Sequence, residues 1–287
     1  MTGAPTAAAL PPLREVIARH DLIARHSLGQ HFLLDANLCR RIALTAGDLG
    51  ESTVIEIGPG PGGLTRALLL AGARRVVAIE KDARCIAALQ ELAGPFAGRF
   101  ELIEGDALEV DIAGLGPPPR RIVANLPYNV ATPLLLQWLR QAQAFESLTL
   151  MFQKEVADRL LATPRTKAYG RLSVITQWLC EVRPAFTVDR RAFTPPPKVT
   201  SSVVVLTPRP QPLAPASFKA LEAVTAAAFG QRRKMLRASL RRLDLDLAGL
   251  GIDPSARAEE LEVPAFCALA RALEEKSTPS EAAPPRD

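Results

Sequence analysis

The run Asn125-Leu126-Pro127-Tyr128 closes an apolar stretch, Ile122-Val123-Ala124, with an amide, a rigid ring and a phenol in succession. Pro127 fixes its own φ and keeps Leu126 out of the helical region, so the Leu126 carbonyl has a set direction. The Asn125 side-chain oxygen and that carbonyl suit the two N–H bonds of an aromatic amine, while the Tyr128 ring suits the face of its heterocycle. An amine on a purine is a poor nucleophile because its lone pair is delocalised into the ring. Drawing both hydrogens toward acceptors favours the localised, pyramidal amine as a bond to carbon forms, which stabilises the transition state selectively. Alkylation of a ring amine by this means requires no carboxylate base and no metal. The plainer reading is a strand that ends in an ordinary proline turn.

Three further strand ends carry groups of the same kind. Glu56-Ile57-Gly58-Pro59-Gly60-Pro61-Gly62-Gly63 places Gly58, Gly60 and Gly63 in G-x-G-x-x-G spacing, which allows a tight turn, close approach of a ligand to the backbone, and free N–H groups at a helix start. By itself this loop is a weak signal: a nicotinamide dinucleotide site shows the same spacing, and a bare turn is the plainer reading. Glu80 lies 22 residues beyond Gly58 at the end of the next apolar run, where a carboxylate accepts both hydroxyls of a ribose. Asp106 follows the third such run, and an acceptor-only side chain there suits the exocyclic amine of an adenine. Together the three define a nucleoside pocket.

The elements that must position these residues are apolar runs of strand length, 53–57, 75–79, 100–103, 121–124 and 148–152, alternating with helical patterns such as 64–71 and 83–92. This alternation predicts an α/β fold, a doubly wound parallel sheet with its ligand at the carboxyl ends of the strands. Runs 172–180 and 202–206 are expected to form an antiparallel pair at the sheet edge. A proline-rich linker, 208–216, then leads to an all-helical second domain, 217–275, with helical spacing over 218–229, 232–243 and 265–273. The expected organisation is an N-terminal extension 1–26, a main domain 27–207, the linker, the helical domain, and a disordered tail 276–287.

Composition narrows the class. Hydrophobic residues make up 48% and charged residues 23% of 287, a profile that excludes a fibrous or disordered chain, and no apolar run reaches the roughly 18 residues of a membrane span. The four cysteines are scattered without a C-x-x-C pair, so neither a metal site nor a disulfide framework is indicated and a reducing, cytoplasmic setting fits. The Ala- and Arg-rich first 26 residues resemble a transit peptide only faintly and lack a hydrophobic signal core. From Arg190 to Arg242 there are eleven bases against the single acid Glu222, a segment of +10 in a chain of net +5. Such asymmetry is the footprint of a polyanion-binding surface, although a solvated basic face is the commoner meaning of a charge run.

Seven ordered motifs, 27–33 (S-L-G-Q-H-F-L), 56–63, 125–129 (N-L-P-Y-N), 153–160 (Q-K-E-V-A-D-R-L), 167–174 (K-A-Y-G-R-L-S-V), 193–199 (F-T-P-P-P-K-V) and 229–237 (F-G-Q-R-R-K-M-L-R), make the chain resemble the bacterial small-subunit ribosomal RNA adenine dimethyltransferases over about 27–273. The resemblance implies a class I S-adenosylmethionine-dependent methyltransferase with a small helical C-terminal domain. It would dimethylate N6 of two adjacent adenosines in the 3′-terminal hairpin loop of 16S rRNA in the immature 30S subunit. It assigns cofactor contacts to His31, Leu33, Gly58, Gly60, Glu80, Asp106 and Asn125, with His31 standing where Asn is commonest in the family. It makes Asn125, Leu126, Pro127 and Tyr128 the catalytic segment and places Phe193 opposite Tyr128, so that the two rings sandwich a flipped base. The basic helix 231–242, with Arg232, Arg233, Lys234 and Arg237, is the expected RNA backbone contact, extended by Lys198 and Arg171. A monomer is expected. Two other readings share these motifs: a large-subunit rRNA adenine methylase of the erythromycin-resistance type, and a non-catalytic RNA-binding or assembly factor on the same fold.

Overall fold

The computed structural model describes residues 10–24 and 30–277. In chain order the elements are α1 (Leu13–Arg19), β1 (Phe32–Leu33), α2 (Ala36–Thr45), β2 (Thr53–Ile57), α3 (Gly63–Leu70), β3 (Arg75–Glu80), α4 (Ala83–Gln90), β4 (Phe100–Glu104), β5 (Arg120–Asn125), α5 (Ala131–Leu139), β6 (Ser147–Gln153), α6 (Lys154–Leu161), α7 (Arg171–Leu179), β7 (Cys180–Val188), β8 (Phe193–Thr194), β9 (Ser201–Pro208), α8 (Phe218–Phe229), α9 (Leu236–Ser239) and α10 (Val263–Ser277). The chain divides into two compact units, the first Met1–Ala157 with Glu181–Pro208 and the second Asp158–Cys180 with Arg209–Asp287.

The first unit is built on a seven-stranded sheet of order β4-β3-β2-β5-β6-β9-β7. Strands β4, β3, β2, β5 and β6 run parallel, and β9 pairs antiparallel with β6. All five residues of β2 are buried. Helices cover both faces of a parallel sheet, which is why its strands read as continuous apolar runs rather than as alternation. Chain order reverses between β2 and β5, and that switch point opens a crevice at the strands' carboxyl ends. A second, two-stranded sheet pairs β1 with β8, setting Phe32 against Thr194 and Leu33 against Phe193. Helix α2 starts cleanly because the Asp35 carboxylate accepts from the amides of Asn37 and Leu38 at 2.9 and 3.2 Å, an N-cap worth about 1 kcal/mol.

Several expectations need correction. The run 172–180 is helix α7, not a strand. Its Val174, Ile175, Trp178 and Leu179 are all buried, and α7 packs on α8 and α10 within the second unit. The edge partner of β9 is instead β7, 180–188. The second unit therefore begins earlier than residue 217 and takes in 158–180, which the sequence assigns to the main domain. The proline-rich segment is anchored rather than a free linker: Leu213 N donates to Trp178 O at 2.8 Å, and the Trp178 indole donates to Ala214 O at 2.8 Å. Part of the N-terminal extension belongs to the first unit, where Val16 and Leu22 join Phe32, Cys85 and Ala88 in a small core. Helix α10 runs through Ser277; residues 1–9, 25–29 and 278–287, including the start of the 27–33 motif and most of the expected tail, lie outside the described residues.

The second unit closes around α7, α8 and α10. Phe229 stacks on Phe266 with ring centroids 5.4 Å apart and meets Tyr169 edge-on at 6.0 Å. The expected continuous helix over 231–242 is broken. Residues 231–234 form a turn, Met235 bridges Arg257, α9 is a single turn, and a 3₁₀ turn follows at Arg241–Leu243. The break traces to Arg232, whose guanidinium donates to the carbonyls of Lys167 and Tyr169, both at 2.9 Å, and to the bridge that holds Met235 extended.

Candidate active site

One pocket at the switch point is lined by residues from five separate stretches, among them His31, Leu33, Glu56, Gly58, Gly60, Gly63, Glu80, Asp106 and Asn125 to Tyr128. All of them belong to the first unit. Gly60 has φ +56°, where an L side chain is strained, and a Cβ there would lie 3.2 Å from the Phe32 ring. Gly63, which opens α3, needs its small size for another reason: a Cβ would come within 2.6 Å of the Leu33 carbonyl. The loop thus brings backbone against the pocket, as G-x-G-x-x-G spacing requires.

Glu80 ends β3 and is 6% exposed. Its Oε2 accepts from Gly60 N at 3.0 Å, and its Oε1 accepts from Lys81 N and Asp82 N, both at 2.9 Å. Burial raises its pKa, and these three amides oppose the rise. Asp106 stands two residues past the end of β4. Its Oδ1 accepts from Leu108 N at 3.0 Å and its Oδ2 faces Lys81 Nζ at 3.4 Å, and these contacts, the amide foremost, hold its carboxyl below the ordinary range.

At the end of β5 the Asn125 Nδ2 donates to the His31 carbonyl at 3.3 Å. That bond fixes the amide's orientation and leaves its oxygen as the acceptor offered to a ligand. The Tyr128 hydroxyl is hydrogen-bonded to Ser201 Oγ at 2.6 Å, and burial raises its pKa. The phenol is therefore neutral at physiological pH. The ring that approaches Tyr128 among the described residues is His31's, with centroids 5.5 Å apart and planes inclined by 32°. His31 Nδ1 in turn donates to the Pro195 carbonyl at 2.7 Å.

Phe193 does not take the place expected of it. Pairing of β8 with β1 turns its ring into the main core, where it is 1% exposed and is clustered with Leu33, Val188 and Val203, and it does not line the pocket. Sequence reasoning also passed over Glu56. It is 1% exposed in β2, it lines the pocket, and its Oε2 has no hydrogen-bond partner among the described residues. Its signal was the lone acid inside an otherwise apolar strand.

The expected RNA-contacting residues divide by what they touch. Arg232 is committed to the Lys167 and Tyr169 carbonyls and pairs with Glu259 at 3.3 Å, and Arg171 pairs with Glu222 at 3.2 Å. Arg233, Lys234, Arg237 and Lys198 have exposed side chains.

A parallel sheet with a glycine loop at its switch point, a ribose-type carboxylate after β3, an adenine-type carboxylate after β4 and N-L-P-Y after β5 defines a class I methyltransferase that uses S-adenosylmethionine. The pocket fits that cofactor: its polar groups match ribose hydroxyls and an adenine amine, and its unpartnered Glu56 oxygen suits a ligand that carries positive charge. Over residues 22–275 the chain matches the ribosomal RNA adenine dimethylase family, and it belongs to that family. It is 68% identical over 269 residues to the ribosomal RNA small subunit methyltransferase A of Rhodospirillum rubrum, covering 92% of this chain and 93% of the relative. A protein of the same name from Paramagnetospirillum magneticum is 68% identical over 272 residues, covering 93% and 96%. Among solved structures, a dimethyladenosine transferase from Plasmodium falciparum superposes with a TM-score of 0.75 at 27% identity, covering 86% of this chain and 98% of that one. The 23S rRNA methyltransferase ErmE superposes with a TM-score of 0.61 at 31% identity, covering 85% and 99%.

Proposed function

We propose that the protein N6,N6-dimethylates two adjacent adenosines in the 3′-terminal hairpin loop of 16S rRNA, acting in the cytoplasm as a monomer on the immature 30S particle. The observation that carries the reading is the Asn125 carboxamide, whose nitrogen is occupied by the His31 carbonyl so that its oxygen is left to accept from an incoming amine. S-adenosylmethionine, when bound, supplies a methyl group on a sulfonium sulfur. Glu80 and Asp106, both in the pocket wall, would hold the cofactor's ribose and adenine, and the Gly58–Gly63 loop would offer it backbone N–H groups. His31 and Leu33 close the pocket from β1 and the residue before it. The Asn125 oxygen and the Leu126 carbonyl accept the N–H bonds of the target amine, drawing its lone pair out of conjugation. Pro127 fixes the direction of that carbonyl, and Tyr128 gives the base a stacking face, which restores about 1–3 kcal/mol of the stacking it leaves behind.

The small-subunit assignment is favoured over the large-subunit one by relatives named as small-subunit methyltransferases at 68% identity, against 31% for the 23S enzyme. Incubation of the protein and labelled donor with under-methylated 30S and 50S particles tests it. Label on two neighbouring adenosines of 16S rRNA is expected. Label confined to 50S particles, or binding of 30S without transfer, overturns it in favour of the large-subunit methylase or the non-catalytic factor respectively.

A further inference from the structure

Of the three carboxyls in the pocket wall, two are provided for. Glu80 accepts from three backbone amides, and Asp106 accepts from one and faces Lys81. Glu56 is different: it lies in the middle of the sheet, almost wholly buried, and its Oε2 has no partner among the described residues. The groups acting on it are the Thr65 hydroxyl on α3 and the Glu80 carboxylate on β3, and Glu56 in turn acts on the Cys39 thiol on α2. No guanidinium or ammonium is among them. Burial, the larger cause, and the neighbouring Glu80 push the Glu56 pKa up to about 8. The Thr65 hydroxyl, second to burial and larger than the Glu80 effect, pulls the other way without cancelling the rise. Cys39, buried and itself pushed up to about 12, stays a neutral thiol. A carboxyl so placed keeps its proton at neutral pH because burial penalises the charged form and no cation among the described residues offsets that penalty.

Lys81, the ammonium of the wall, faces Asp106; the methyl donor brings what Glu56 lacks, an ammonium and a sulfonium against a single carboxylate. We propose that Glu56 is the protein's counter-charge to the donor: protonated in the free protein, it releases its proton to solvent as the donor's positive charge enters the pocket. Donor binding is then coupled to loss of a proton. Affinity rises as pH rises toward the pKa of the free carboxyl and levels off above it, by at most about tenfold per pH unit for one proton. If the sulfonium is the centre that Glu56 answers, transfer of the methyl group removes that charge, Glu56 takes a proton back, and the spent donor is held less tightly than the fresh one.

The inference rests on S-adenosylmethionine being the donor and is tested by calorimetry at neutral pH in buffers of different ionisation enthalpy, with S-adenosylmethionine and S-adenosylhomocysteine as probes. The donor's own amino group titrates in the same range, so the linkage is read as the difference between wild type and E56Q. Wild type is expected to release close to one proton more than E56Q on binding S-adenosylmethionine. An equal release with S-adenosylhomocysteine assigns the ammonium as the paired centre, and a release confined to S-adenosylmethionine assigns the sulfonium. Heats that do not depend on the buffer in wild type, or undiminished release in E56Q, overturn the proposal, whereas failure of wild type to bind either ligand overturns the cofactor reading itself. An infrared difference spectrum of wild type labelled with carbon-13 glutamate needs no variant: the protonated carboxyl band should vanish when donor is added, and its persistence rules the idea out.

Discussion

On the proposed reading Asn125 does two jobs with one amide, and only one of them concerns the substrate. Its nitrogen is spent on the His31 carbonyl and its oxygen is left for the target amine. Asn125→Ala is therefore expected to leave RNA affinity nearly unchanged while lowering turnover by a factor of about 10² to 10³, the usual cost of removing one preorganised transition-state hydrogen bond. Single-turnover methylation alongside RNA binding checks it, and wild-type turnover would remove Asn125 from the chemistry. Gly60→Ala acts differently, because its φ of +56° strains any L side chain and the added methyl meets Phe32. A stability loss of about 1–2 kcal/mol is expected, together with weaker donor binding, read from denaturant midpoints and titration. At this scale the turn after β5 was legible because Pro127, two residues past the strand, fixes directions locally. The neighbours of Tyr128 were not. Whether Phe193 or His31 faces that ring depends on a two-residue pairing, Leu33 with Phe193, across some 160 positions of chain, and nothing local announces it.

Among the elements, the central strands follow directly from sequence. Buried on both faces, they read as unbroken Val, Ile and Leu runs, and β2 falls on 53–57 as expected. Burial on all sides has the opposite effect on helix α7. With Ser173 to Thr176, Trp178 and Leu179 all buried, the helical period is erased and β-branched residues suggest a strand. The basic stretch after α8 failed for another reason, since 3.6-residue spacing cannot reveal that Arg232 will fold back onto two carbonyls. That contact separates residues that look alike in sequence. Arg232→Ala should cost the second unit about 1–2 kcal/mol of stability, the low side for charge-assisted bonds because the side chain is half exposed. Arg233→Ala and Lys234→Ala, on exposed side chains in the same turn, should leave the denaturation midpoint in place and weaken RNA binding. If all three variants unfold at the same midpoint, Arg232 has no structural role.

Charge is the property that the whole molecule sets. The net +5 conceals a segment of +10 between Arg190 and Arg242, whereas the pocket wall carries three carboxyls. On the proposed reading, cofactor recognition and RNA attraction fall to opposite signs of charge. The pocket residues lie in the first compact unit, and Arg233, Lys234 and Arg237 lie in the second. The physics of the two ligands differs accordingly. RNA binding gains from counterion release, so its affinity falls as salt rises, with a slope of about −0.7 to −0.9 per phosphate neutralised. Replacing Arg233, Lys234 and Arg237 together by Ala should flatten the slope of log affinity against log salt by about 2 to 3, one increment per lost phosphate contact. Donor affinity should stay the same. Methylation of 30S particles should then show a raised KM that grows with salt and a nearly unchanged kcat, because these bases hold the substrate without touching the reacting atoms. Fluorescence anisotropy over a potassium chloride series measures the slope. A slope equal to that of wild type would move the RNA surface off this turn and onto other bases of the chain, while a fall in kcat at saturating particles would mean that the turn also shapes the site where the base is held.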